Sequence, residues 1–256
     1  MNLYSRYSSM FLCLVVAAIT FYPGQTARAQ MFSVEEDEPV RNRALTPNTG
    51  IYIGLEPAEF DFREESMDNQ SLPQPGIYEF DGPLLRIRFE TIAFEGYLGV
   101  GGGLTGIDDI GYFDGGIKAV RGLRVVRQPT FQLLLPLQLK SSVTSVSNNQ
   151  AVLTDTQFRQ GTFEFGAGGE LRLQLGKQFR IRVNAIPNYG FSFATGGIFG
   201  GQIFDLETKS RLYADRLFGD IGLSAGWDYS FKRFDVEEDQ FDYNLRSVSF
   251  ILGITF

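Results

Sequence analysis

From about residue 83 to the end of the chain, apolar and polar residues alternate with a period of two. Between Leu217 and Phe231 the odd positions hold Leu217, Ile221, Leu223, Ala225, Trp227, Tyr229 and Phe231. The even positions hold Asp220, Ser224, Asp228 and Ser230. Successive side chains of a strand point to opposite faces, so this pattern predicts strands. Thr162–Leu175 repeats it, with Phe163, Phe165, Ala167, Leu171, Leu173 and Leu175 set against Thr162, Glu164, Glu170, Arg172 and Gln174. Phe179, Ile181 and Val183 alternate with Arg180, Arg182 and Asn184. Gly176-Lys177-Gln178 between these two runs is short enough for a hairpin turn. Leu85, Ile87 and Phe89 alternate with Arg86, Arg88 and Glu90.

The alternation predicts strands over residues 84–90, 92–103, 110–122, 129–146, 156–176, 178–194, 212–232 and 240–256. That makes eight, or ten if 50–56 and 76–81 also pair. Several of these runs reach the roughly 9–11 residues that a tilted strand needs to cross a bilayer. Their polar faces carry Arg86, Arg88, Glu164, Glu170, Arg172, Arg180, Arg182 and Asp220. A soluble β-sandwich would not bury such a set in its core. A closed barrel with lipid outside and a polar interior does. The expected fold is therefore all-β: an antiparallel transmembrane β-barrel with an acidic N-terminal extension. These eight residues are expected to form a paired charge network in the barrel interior, because an unpaired buried charge is very costly. Two aromatic groups, Tyr189, Phe191, Phe193 and Trp227, Tyr229, Phe231, suit the bilayer interfaces. One conflict remains in this pattern. Counting back from the C-terminus puts the long 195–211 connection on the side where short turns are expected. Ile203, Leu206, Leu212, Tyr213 and Leu217 also fit a short amphipathic helix.

Composition divides the chain further. Residues 1–29 read as a secretory signal, with Arg6, an uncharged run from Phe11 to Tyr22, and Ala27-Arg28-Ala29 before Gln30. Residues 30–82 hold twelve acidic and three basic residues, and residues 83–256 hold eighteen of each sign. Glu35-Glu36-Asp37-Glu38, followed by repeated prolines, suits a solvated, partly disordered extension over 30–82. The barrel is then assigned to 83–256.

The chain ends in Val248-Ser249-Phe250-Ile251-Leu252-Gly253-Ile254-Thr255-Phe256. Val248, Phe250, Leu252, Ile254 and Phe256 share one strand face. With the leader and the alternating strands, this terminus resembles the bacterial outer-membrane β-barrel proteins. The resemblance implies export to the outer membrane, outer-membrane lipid as the surroundings, and recognition of these five residues by the barrel-assembly machinery. Phe241, Tyr243 and Leu245 are apolar at odd positions, which predicts a bulge near Arg246-Ser247 or the end of the lipid-facing zone there.

The chain contains no histidine, and its one cysteine, Cys13, lies in the leader. The usual general base, the usual metal ligand and a thiol nucleophile are thus absent from the region after the leader. No phosphate-binding loop, nucleotide fingerprint, metal spacing or serine elbow occurs. Neither metal, cofactor nor nucleic acid is expected. The sequence points to a non-enzymatic scaffold or surface-contact barrel. A small channel for a polar or amphipathic solute is the alternative, and an outer-membrane enzyme ranks third.

Overall fold

The computed structural model describes residues 49–63, 78–107, 109–148, 157–194, 200–236 and 242–256. The expected leader, the acidic run at Glu35–Glu38 and Phe241 lie outside the described residues. Eleven strand segments follow in order: β1 (Gly50–Phe62), β2 (Phe80–Glu90), β3 (Phe94–Gly101), β4 (Ile110–Arg127), β5 (Phe131–Asn148), β6 (Gln157–Ala167), β7 (Gly169–Leu175), β8 (Phe179–Ala194), β9 (Gln202–Phe218), β10 (Ile221–Asp235) and β11 (Tyr243–Thr255). Every neighbouring pair is antiparallel, and β1 pairs with β11, so the sheet closes on itself. Segments β6 and β7 form one stave. Both pair with β5 and with β8 in unbroken register, and the interruption at Gly168 falls opposite Pro136, which has no N–H for the ladder. The barrel therefore has ten staves.

Paired residues followed from Gly50 run through Glu90, Glu95, Lys118, Lys140, Glu164, Gly190, Ile203, Phe234 and Tyr243. They arrive back on β1 at Phe62, twelve residues beyond the start. Such a stagger accompanies strands tilted by roughly 35–45° to the barrel axis.

The structure resolves the conflict over connections. The stretch expected as one strand over 212–232 contains a turn at Gly219-Asp220, with Gly219 at φ 68°, and strand β9 precedes it. Ile203–Leu217 is strand rather than helix. Its inward face changes character along its length, from Ile203 in an apolar cluster to Asp205, Glu207, Lys209 and Arg211 in a charged zone. That change blurs the period of two. With β9 in place, all connections on the side of Gly50 and Phe256 are short: residues 91–93, 128–130, 176–178 and 219–220. Connections of seven to seventeen residues lie on the opposite side, hereafter the loop side. This is the asymmetry of outer-membrane barrels, whose short turns face the periplasm.

The barrel begins at Gly50, not at residue 83. The region expected as an extension contains all of β1 and the start of β2. Its acids and prolines obscured a regular strand, in which Tyr52, Glu56, Ala58 and Phe60 point in and Ile51, Ile53 and Leu55 point out.

Outward residues form an apolar belt. Leu252 is 66% exposed, and Val248, Phe250, Ile254, Leu55, Ile87, Leu98 and Leu135 share its character. Near the loop side, outward Phe163 packs on Phe191 with ring centroids 5.7 Å apart, and Tyr189 packs on Phe204 at 4.9 Å. Rings at this level fit the boundary between hydrocarbon and water. The bulge expected near Arg246-Ser247 is absent, since β11 keeps continuous register with both neighbours. Tyr243 and Leu245 are apolar at odd positions because the interior itself turns apolar there. They join Phe60, Phe80, Leu84, Tyr112, Phe158, Ile203 and Phe234 in a buried cluster at the loop side. The alternative expectation holds: Arg246 points outward, 3.7 Å from Glu59, at the upper limit of the belt.

An arginine in mid-belt costs about 2–4 kcal/mol. Leu252→Arg is therefore expected to lower the unfolding free energy of the vesicle-inserted barrel by about that amount, and Arg246→Leu to change it little. Urea titration in lipid vesicles checks both.

Candidate functional site

The interior is the place where charged groups converge. Each strand contributes its inward-facing positions, and the register sets their level. One row of paired residues carries Glu90, Glu95, Lys118, Lys140 and Glu164 on five adjacent staves, all buried. Like charges adjacent in this row are bridged by opposite charges from across the lumen. Lys209 of β9 bridges Glu90, at 3.4 Å, and Glu95. Lys118 Nζ donates to Glu207 at 2.5 Å and lies 3.3 Å from Glu95. Lys140 Nζ meets Asp205, Glu207 at 2.8 Å and Glu164 at 3.7 Å.

Toward the loop side, Arg86 Nη2 donates to Glu56 at 2.8 Å and to Asp114 at 3.2 Å, and Lys232 reaches the same Asp114 at 3.0 Å. Arg88 pairs with Asp228, as does Arg211, whose Nη2 donates at 2.7 Å. Toward the terminus side, Arg182 Nη2 donates to Glu170 at 2.8 Å, with Arg172 also on Glu170. Arg180 grips Asp215 through Nε at 2.7 Å and Nη2 at 3.0 Å, and lies over the Tyr213 ring at 4.3 Å. Arg182 lies 3.8 Å from Glu90, which joins this group to the central one.

Seven of the eight expected interior charges thus face inward: Arg86, Arg88, Glu164, Glu170, Arg172, Arg180 and Arg182. Asp220 does not. It is exposed in the β9–β10 turn, because the strand assumed to carry it folds back there. Of the seven, Glu170 meets Arg172 and Arg182. The others find partners outside the expected eight: Arg86 meets Glu56 and Asp114, Arg88 meets Asp228, Glu164 meets Lys140 and Arg180 meets Asp215. Asp228 occupies the even, polar face already visible in the Leu217–Phe231 pattern, Lys232 continues that face, and Asp114 and Lys118 occupy one parity of β4. The β9 charges needed the strand itself to be recognised.

On the loop side, beyond the strand ends, Asp242 accepts from the Val236 amide at 2.7 Å and from Arg63 Nη2 at 2.6 Å. Burial holds its carboxyl above the usual carboxylate range, although the amide and the guanidinium pull the other way.

Glu164 and Lys140 are fully buried, and among the described residues no group of three acids forms a metal cradle. A small gap remains between Glu56, Arg86, Tyr97, Lys118, Ser247 and Ser249.

An apolar outer belt, a closed antiparallel sheet and a charge-filled interior define a transmembrane β-barrel of the bacterial outer-membrane type. Solved structures similar to the chain include the outer membrane protease OmpT from Escherichia coli, at 9% identity over 82% of this chain and 97% of that one, with a TM-score of 0.33. The β domain of the Bordetella autotransporter BrkA matches at 12% identity over 82% and 99%, with a TM-score of 0.32. Ail, the attachment invasion locus protein of Yersinia pestis, in complex with the heparin analogue sucrose octasulfate, matches at 9% identity over 82% and 98%, with a TM-score of 0.28. No family model and no curated protein matches the chain.

Removing one member of a buried pair strands its partner, at a cost of roughly 3–5 kcal/mol. Lys140→Met leaves Asp205 and Glu164 without their shared cation and is expected to destabilise the barrel by about that much. Adding Asp205→Leu is expected to recover part of the loss. Denaturant unfolding of the three proteins in one detergent checks this.

Proposed function

We propose that the chain is a non-conducting, non-enzymatic barrel that serves as a membrane scaffold and presents its loop side to the exterior. The observation that carries this reading is the filling of the lumen. The paired charges occupy the central levels, and the apolar cluster around Phe60, Phe80, Phe158, Phe234 and Tyr243 lies between them and the loop side. The central gap touches this cluster at Leu245. A hydrated path would have to separate rings such as Phe60 and Tyr243, which stack at 4.6 Å with planes 2° apart. The charge pairs then have a structural role: they neutralise one another where a polar interior must be closed off from water. Catalysis by the inward carboxylates is disfavoured on the same ground, since Glu170, Asp205, Glu207 and Asp228 each hold a cation.

The outward row Val248, Phe250, Leu252, Ile254 and Phe256 is proposed as the feature read by the assembly machinery. It lies on the strand that closes the ring against β1.

Two measurements test these readings. In planar bilayers the purified protein is expected to give no reproducible single-channel steps; regular steps would establish the channel alternative instead. Phe256→Ser is expected to slow the appearance of the heat-modifiable folded form in cells by several-fold while leaving the stability of the folded barrel nearly unchanged. An unchanged assembly rate would remove the terminal residue from the recognition motif.

A further inference from the structure

The two rims of the barrel differ in charge. On the loop side the outer face of β1 and β2 ends in Glu59, Asp61, Glu79 and Asp81, with Arg246 beside Glu59 and Arg159 exposed on β6. On the terminus side the exposed charges are Arg121, Arg124, Arg127, Lys177 and Arg216, with Asp220 the exposed acid among the described residues there. Asp215, nearby, is held by Arg180.

The basic residues are not scattered over a polar surface. Strand β4 runs past the end of β3. Its pairing with β3 stops at Ala119 opposite Phe94, followed by one bond from the Val120 amide to the Ala93 carbonyl at 2.8 Å. The β4 side of the β4–β5 hairpin therefore extends past its neighbour, while the β5 side stays paired with β7, and Arg121, Arg124 and Arg127 are interleaved in sequence with Leu123, 47% exposed, and Val125, 65% exposed. Two of the other three turns repeat the arrangement. Lys177 stands between exposed Leu175 and Phe179, and Arg216 precedes exposed Leu217 and Phe218, the latter 69% exposed. Arg216 adopts φ 57°, a left-handed conformation that turns the strand just before the rim.

Each of the three sites thus sets a long cationic side chain beside apolar groups at the lower edge of the belt. In a bilayer the apolar groups lie in the outermost hydrocarbon, and the cationic heads extend to the level of the phosphates. The backbone edge of β4 beyond Ala119 has no described strand beside it, so it belongs in the hydrated headgroup zone rather than in hydrocarbon. A cation near an anionic membrane surface gains of the order of 1 kcal/mol.

We propose that the terminus-side rim is a binding surface for anionic phospholipid headgroups. Arg121, Arg124 and Arg127 form its main element, and Lys177 and Arg216 extend it around the rim. The surface selects lipids bearing net negative charge over zwitterionic ones, which biases the leaflet in which this rim sits. A second copy pairing through the same β4 edge is unfavourable, because arginines would face arginines across the ladder.

The test uses the full chain in phosphatidylcholine bilayers containing spin-labelled phosphatidylglycerol or spin-labelled phosphatidylcholine, with the immobilised fraction read by electron spin resonance. The wild type is expected to prefer phosphatidylglycerol by about threefold or more at low salt. The preference should fall toward one in the variant R121Q/R124Q/R127Q/K177Q/R216Q and in high salt. All five residues are exposed, and the heat-modifiable gel band verifies that the variant is folded. If that variant fails to fold, R121Q/R124Q alone is expected to reduce the preference measurably. Equal immobilisation of the two lipids by the wild type would overturn the proposal, as would a preference that survives the substitutions. So would tight binding of an acidic peptide to the β4 edge without lipid selectivity, which would make the rim a peptide-docking edge instead.

Discussion

In hydrocarbon every backbone N–H and C=O must find its partner within the protein, and the rest of this structure depends on that requirement. The pairing of β1 with β11 meets it by removing both edges of the sheet. Closure with ten staves and a stagger of twelve residues sets the tilt and the width, and so sets how much side-chain volume the interior must hold. It also explains why the strand assembled from an acidic, proline-containing segment is indispensable. Without Gly50–Phe62 the ring would end at β2 and β11, each with an open edge facing lipid.

Once closed, the interior has to be filled by whatever the inward parity supplies. Here it supplies charges through the central levels and rings at the loop side. The charges are stabilised by the same register that positions them. Adjacent staves place Glu90 beside Glu95 and Lys118 beside Lys140, which would repel, and strands across the lumen supply Lys209 between the first two and Glu207 between the second. Compensation therefore comes from residues distant in sequence: Lys118 to Glu207 spans 89 positions, and Lys232 to Asp114 spans 118. The aromatic cluster adds an apolar layer above the charged levels.

The outer surface is graded along the same axis. Aromatic rings mark the loop-side boundary of the belt, acids lie beyond them on β1 and β2, and basic residues gather on the short turns at the opposite rim. The rings and the acids follow from the alternation that builds the strands, because a residue whose neighbours in sequence face the lumen has only the outside left to occupy.

Much of this was determined by the sequence alone. Alternation with period two established strands, the charges opposite the apolar rows established a polar interior, and Val248 to Phe256 defined an outward apolar row. Those features are local: strand geometry maps neighbouring residues onto opposite faces whatever the rest of the chain does. Only the tertiary structure decided the remainder. It showed that β1 closes the ring, that Ile203–Leu217 is a strand, and that Asp220 sits in a turn. It also showed that Tyr243 and Leu245 keep the phase of β11 because an apolar layer awaits them inside. The pairing of each interior charge was likewise beyond the sequence, since a partner is chosen by register and stagger around the whole ring. A one-dimensional pattern assumes that one face stays polar and the other apolar along a strand. In this barrel the inside changes from charged to aromatic along its axis, and the pattern blurs where that change occurs.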